Sequence, residues 1–272
     1  TVRQGSAGAV VVHARIRASD WAGGDAQRRV HYLESHPPVE QNGNTIRIGR
    51  IQERGLTHNI SISYDLTVPT DTKLRAASGS GDENIEGIHG PVDAGSGSGS
   101  LTLANIGSEA RAHAGSGDIT LNSIHGNVQA NTGSGSIRAS GIAGGFTGRS
   151  GSGGVRLEQT AAGDISIGSG SGSIEIKGAD GAVRAHTGSG DITAQGQPKG
   201  DWNLRTGSGS LEVTFPAGAG YDLIAHTGSG GISTSQPIEV QGKINRHDLR
   251  AKVHGGGSVV NLSTGSGSIR ID

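Results

Sequence analysis

The tripeptide Gly-Ser-Gly recurs along the chain in ten periodic copies, ending at Gly81, Gly99, Gly117, Gly135, Gly153, Gly172, Gly190, Gly209, Gly230 and Gly267. The gaps between these glycines are 18, 18, 18, 18, 19, 18, 19, 21 and 37 residues, the last being two periods. A fixed period of this length marks a solenoid, in which each repeat is one coil that buries its apolar face only when neighbours stack on it.

Within a period the pattern is finer. In Gly115 to Thr132, Ile119 and Leu121 alternate with Thr120, and after the turn His125-Gly126-Asn127, Val128 and Ala130 alternate with Gln129 and Asn131. Alternation with period two reads as a strand with one buried face. The same phases recur in other copies as Leu101, Ile137, Val155, Ile174, Ile192 and Leu211 for the first strand and as Val92, Phe146, Ile165, Val183, Trp202, Leu223 and Val260 for the second. The expected fold is all-β: a single-stranded parallel β-helix, or β-solenoid, with about 18 residues and two short strands per coil. Glycine at each corner is expected to supply positive φ for a tight reversal. Glu83 breaks the pattern, standing where other coils have an inward aliphatic, which suggests a shifted or open first coil.

Residues 1–78 lack the period but keep alternation in Val10–Ala14, Thr45–Ile48 and Ile60–Val68, with Gly5-Ser6-Ala7-Gly8 as a degenerate corner. They read as looser coils of the same solenoid, interrupted by an excursion from about Ser19 to Asn44. Residues 79–272 form the regular part of one continuous domain. Residues 236–257 fill the doubled gap as a charged surface loop or hairpin carrying Lys243, Arg246, Asp248, Arg250 and Lys252.

Composition removes several classes. Fifty of 272 residues are glycine, but not at every third position, so collagen is excluded. The net charge is −1 with both signs interspersed, giving no basic stripe for nucleic acid. No apolar run approaches the ~20 residues of a transmembrane helix, so no membrane insertion is expected. Without cysteine there is no disulfide framework. Methionine is absent even from position 1, as expected of a processed or truncated product; removal of an export signal is one natural cause and a cloning choice is the other.

The glycines form no complete nucleophile elbow, dinucleotide fingerprint or P-loop. Calcium-binding rolls need carboxylates recurring coil after coil. Here the residue after Gly-Ser-Gly is aspartate only at Asp82, Asp118 and Asp191. His113, His186 and His226 share one outward phase, with Asn131, Arg149, Ser166 and Arg205 between them. His186 and His226 are then two coils, about 10 Å, apart, too far for one zinc. Polysaccharide-cleaving solenoids need clustered acids beside aromatic platforms, and Trp21, Tyr32, Tyr64, Phe215 and Tyr221 are scattered. The chain is therefore expected to have no catalytic, cofactor or metal residues.

The run from Ile62 to Leu103, with Val68-Pro69 followed by Gly-Ser-Gly-[Ser/Asp]-Ile coils and Gly-x-Val second strands, resembles a bacterial domain-of-unknown-function family of adhesin-like proteins. Lys243-Ile244-Asn245 up to Gly255-Gly256-Gly257, then Leu262 to Gly267, is similar to that family's closing insertion. The resemblance covers roughly residues 40 to 272 and implies a β-helix on exported or surface proteins, at the cell surface or in the extracellular or periplasmic space. The expected function is structural or adhesive, with flat Ser/Thr/Asn faces meeting a glycan or surface protein. The alternative is self-association into a filament or surface layer through open solenoid edges. The sequence nominates Ser268, Ile269, Arg270 and Ile271, where the chain stops on a strand, as the assembly edge.

Overall fold

A computed structural model describes residues 1–6, 8–18, 23–51, 55–241 and 245–272; Ala7, Ser19, Trp21, Lys243 and Ile244 lie outside the described residues. The chain is a β-solenoid built on two long sheets of 13 and 12 strands. Each regular coil gives one strand to each sheet, and like positions stack in register. Ile119 pairs with Leu101 on one side and Ile137 on the other. Val128 pairs with Ala110 and Phe146. The inward residues form continuous rows, and Leu101, Ile119, Ile137, Ile192 and Leu211 are fully buried. Each such side chain contributes about 1.5–3 kcal/mol of burial. The core is thin enough that small residues matter: the Phe146 ring fills the space a Cβ on Gly148 would need.

The corners correct one expectation. Of the ten periodic glycines only Gly230 and Gly267 have φ in the positive range, both at 153°. Glycine is required instead by how closely coils approach. A Cβ on Gly117 would fall on the carbonyl oxygen of Gly99, and one on Gly135 on that of Gly117. The same superposition repeats at Gly153, Gly172, Gly190 and Gly209.

A Ser or Thr just before the Gly-Ser-Gly completes the corner in every copy but the one after Ala114. Thr132 Oγ1 donates to Gly117 O at 2.9 Å and accepts from Gly135 N at 3.1 Å. Ser96, Ser150 and Ser169 make the same pair of bonds. Thr187, Thr206, Thr227 and Thr264 make the donor half. These hydroxyls are buried but satisfied, which is the condition for polar groups inside a core.

The N-terminal part joins the solenoid only in places: Leu74–Ser78 stacks parallel on Val92–Ser96, but other segments depart from coil order. Val11–Ala18 runs antiparallel to Ile60–Pro69, and Val2–Gly5 inserts parallel between Ile60–Pro69 and Glu83–Glu86. A helix spans Gly23–Ser35, and Val39–Asn42 pairs with Thr45–Ile48 as a separate hairpin. The helix opens with Asp25 in its first turn, favourable at a helix N-terminus. Its Arg29 Nη1 donates to the carbonyls of Gly55 and His58, which ties it to the chain beyond the hairpin.

The C-terminal end departs further from sequence order. The last coil intercalates: Ser258–Ser266 lies between Trp202–Ser208 and Tyr221–Ser229, and Ile269–Ile271 lies between Leu211–Thr214 and Ile232–Thr234. The insertion supplies Ile238–Val240 and Asp248–Val253, the latter antiparallel against the far side of Tyr221–Ser229. Consecutive positive φ at His254, Gly255 and Gly256 reverses the chain into the final coil. The nominated edge at Ser268–Ile271 is thus no edge. Ile269 N donates to Gly231 O at 3.0 Å, and Asp272 N to Val213 O at 2.9 Å.

Candidate functional site

Outward positions carry whatever this solenoid presents, and its two faces differ in charge. On the first sheet several charges are paired with a neighbour of opposite sign. Arg138 lies 3.3 Å from Asp118, Arg270 2.6 Å from Asp272, and Lys177 3.0 Å from Glu175, which also meets Arg156. The cations bonded to Glu175 hold its carboxyl below the ordinary range, Lys177 most strongly.

On the second sheet pairs stand near the ends, Arg75 with Asp93 at 3.2 Å and His226 with Asp248 at 2.7 Å, and thin out between them. From Ala110–Ala114 to Ser258–Ser266 one outward row reads Arg111, Gln129, Thr147, Ser166, Arg184, Asn203 and Asn261. The other reads His113, Asn131, Arg149, Gly168, His186, Arg205 and Ser263. No position in either row is acidic. Arg111 is held by Glu109 at 3.2 Å, but Arg149, Arg184 and Arg205 are exposed and form no ion pair among the described residues. Asp164 and Asp201, at strand entrances, instead accept from the Ala182 and Val259 amides.

The histidine row needs correction at two points. Gly168, not Ser166, stands between Arg149 and His186. His186 and His226 are separated by Arg205 and Ser263, so they are three strands apart, about 14 Å. His226 Nδ1 lies 2.7 Å from Asp248 on the insertion strand, and that contact holds the Asp248 carboxyl below its usual range.

The aspartates after Gly-Ser-Gly are accounted for by the backbone. Asp82, Asp118 and Asp191 each accept, at 2.8 Å, from the amide of the matching residue one coil on, namely Ser100, Ser136 and Ser210. Among the described residues no group of three His, Asp or Glu is placed to hold a metal ion. No helix there is long and apolar enough to cross a membrane.

A groove of about 600 Å³ opens at one corner, lined in part by Gln159, Asp180, Gln195, Gln197, Lys199 and Phe215. In earlier coils Ile88, Ile106, Ile124 and Ile142 seal this corner. The register then sets Gln159 against Ile142, and Ala179 follows, so the wall recedes. Gln159 Nε2 donates to the Gly144 and Gly163 carbonyls at 2.8 and 3.0 Å, and Lys199 Nζ donates to Asp180 at 2.9 Å. The groove's inner polar groups therefore brace the chain.

Two interior groups are strongly perturbed. Glu83 is in phase with Leu101, so its coil is not shifted, and both its carboxylate oxygens are buried without a hydrogen-bond partner. Burial raises its pKa from 4.5 to about 7. Tyr221 packs 4.5 Å from Phe215, which lies 5.0 Å from Trp202, and burial pushes its hydroxyl up to about 12. These rings fill the core and make no external platform.

Sequence reasoning missed the hydroxyl row before Gly-Ser-Gly, although Ser or Thr recurs there visibly. It also missed the cationic face, because its members are far apart along the chain. Against known protein families, residues 110–272 match the model described as Toastrack DUF4097. No curated protein and no solved structure matches the chain.

Proposed function

The chain belongs to the Toastrack DUF4097 family, and from that premise we propose that it is a non-catalytic, adhesin-like scaffold, exported to the cell surface or periplasm, that meets its partner across the outer face of the second sheet. One observation carries the reading: fourteen outward positions on seven stacked strands hold no acid and, Gly168 apart, mix amide, hydroxyl, imidazole and guanidinium groups. Such a face makes many shallow contacts rather than enclosing a small molecule. The non-catalytic part is supported by where the perturbed groups sit. Glu83 and Tyr221 are interior, and the groove's Asp180 is tied to Lys199.

Beads coated with the purified chain should adhere to isolated bacterial envelope fragments and be displaced by free chain, while albumin-coated beads should not adhere. Fractionation of the native host should find the protein outside the cytoplasm. Absence of adhesion, or a cytoplasmic location, contradicts the reading.

A further inference from the structure

Stacking concentrates cations that the chain disperses. Arg149, Arg184 and Arg205 come from strands Phe146–Ser150, Val183–Ser189 and Trp202–Ser208. Arg149 and Arg205 share one outward row with His186 between them, and Arg184 stands in the adjacent row on the same strand as His186. The span from Arg149 to Arg205 is three strand spacings, about 14 Å. We propose that this patch binds an extended acidic polysaccharide, whose charged groups are taken by the three guanidinium groups. The inference rests on the reading of this face as the contact surface and names the chemical class it takes.

Three observations select that class. First, the cations here lack the counter-charges that the first sheet supplies to Arg138 at 3.3 Å and to Arg270 at 2.6 Å. Exposed guanidinium groups of one sign on one face present a positive patch, and their fork geometry suits the charged groups of a polyanion. Second, the neighbours of these arginines are Thr147, Ser166 and Asn203, neutral donors and acceptors suited to sugar hydroxyls. Third, neither row has a Phe, Tyr or Trp side chain to form a run of stacking platforms for exposed bases, which disfavours single-stranded nucleic acid. The flat sheet also offers no protruding element to enter a duplex groove. His186 leans over Gly168, where an added Cβ would fall 2.7 Å from the imidazole, so the patch stays level between Arg149 and Arg205.

The test uses the full chain with polygalacturonate as carboxylate probe, heparin as sulfate probe and dextran as neutral control. A DNA oligonucleotide of mixed sequence and phosphatidylglycerol vesicles complete the set, all measured by calorimetry or co-sedimentation at low and moderate salt. At least one acidic glycan should bind, weakening with salt, and dextran should not. Arg149→Gln/Arg184→Gln/Arg205→Gln should lose at least tenfold in affinity with an unchanged melting temperature, while Arg138→Gln/Arg156→Gln on the first sheet should bind as wild type. The proposal is overturned if neither acidic glycan binds, if the triple variant binds as well as wild type, or if DNA or vesicles bind more tightly than the glycans. Envelope adhesion that persists in the triple variant would overturn the acidic-glycan assignment alone. Loss of adhesion altogether would remove the contact-surface reading beneath it.

Discussion

Thr132 and Gly117, fifteen residues apart and one coil removed, are joined by a 2.9 Å hydrogen bond from the threonine hydroxyl to the glycine carbonyl. The bond is one rung of a ladder along the corner, and the ladder is interrupted once, at Ala114. Ala114→Ser places a hydroxyl where the Gly99 carbonyl and Gly117 amide stand in the same relation to it. It should stabilise the chain by about 1 kcal/mol in denaturant unfolding. Thr132→Val should destabilise by about 1–3 kcal/mol, since it strands buried backbone groups. No change in either variant would mean the ladder is incidental.

The corner glycines give a sharper contrast. Gly153→Ala drives a methyl into the Gly135 carbonyl, whereas Gly231 has open space around its Cβ position. Gly153→Ala should cost about 1–3 kcal/mol, as overpacking does. Gly231→Ala should be nearly neutral. Equal effects would return the glycines to a conformational role.

Glu83 makes stability depend on pH. Its pKa rises from 4.5 to about 7 on folding, so the native state holds the proton more tightly than the unfolded chain. The stabilisation is fully present below pH 4.5 and is lost as pH rises to about 7. Melting temperature should fall across that window, apart from background titration shared with a variant. Glu83→Leu, which continues the row of Leu101, should remove the extra slope and melt higher than wild type at pH 8. A wild-type profile parallel to the variant's would contradict the buried carboxyl.

The terminal strand should behave as an interior one. Ile269 and Ile271 are fully buried and paired on both sides, so their amides should exchange with solvent as slowly as those of Ile137. Ile269→Pro removes the bond to Gly231 and should unfold the C-terminal coils rather than merely dissolve an assembly. Rapid exchange at Ile269 would restore the edge.

How much of this was legible follows from what a period encodes. Rows such as Ile119–Ile137–Val155 were readable because each position repeats its environment every coil. Strand order was not. The intercalated coil keeps the same phases at Leu262 and Ile269 whether it sits inside the stack or at its end. Local alternation in Val11–Ala18 could not reveal its antiparallel partner, since alternation is identical in both directions. The cationic face was hidden because Arg149, Arg184 and Arg205 are 35 and 21 residues apart, and only stacking makes them neighbours. The groove left one trace, the change from Ile142 to Gln159 at the end of a run of isoleucines.

If one face of the solenoid meets the partner, the absence of cysteine allows each face to be shielded in turn. Ser166→Cys on the second sheet and Thr193→Cys on the first are both exposed positions on which a bulky polyethylene-glycol maleimide can be fixed. Adhesion of the two conjugates to isolated envelope fragments is the measurement. Adhesion should be lost when Ser166→Cys carries the shield and kept in full when Thr193→Cys does; equal adhesion, or the reverse, would mean that the second sheet is not the contact face.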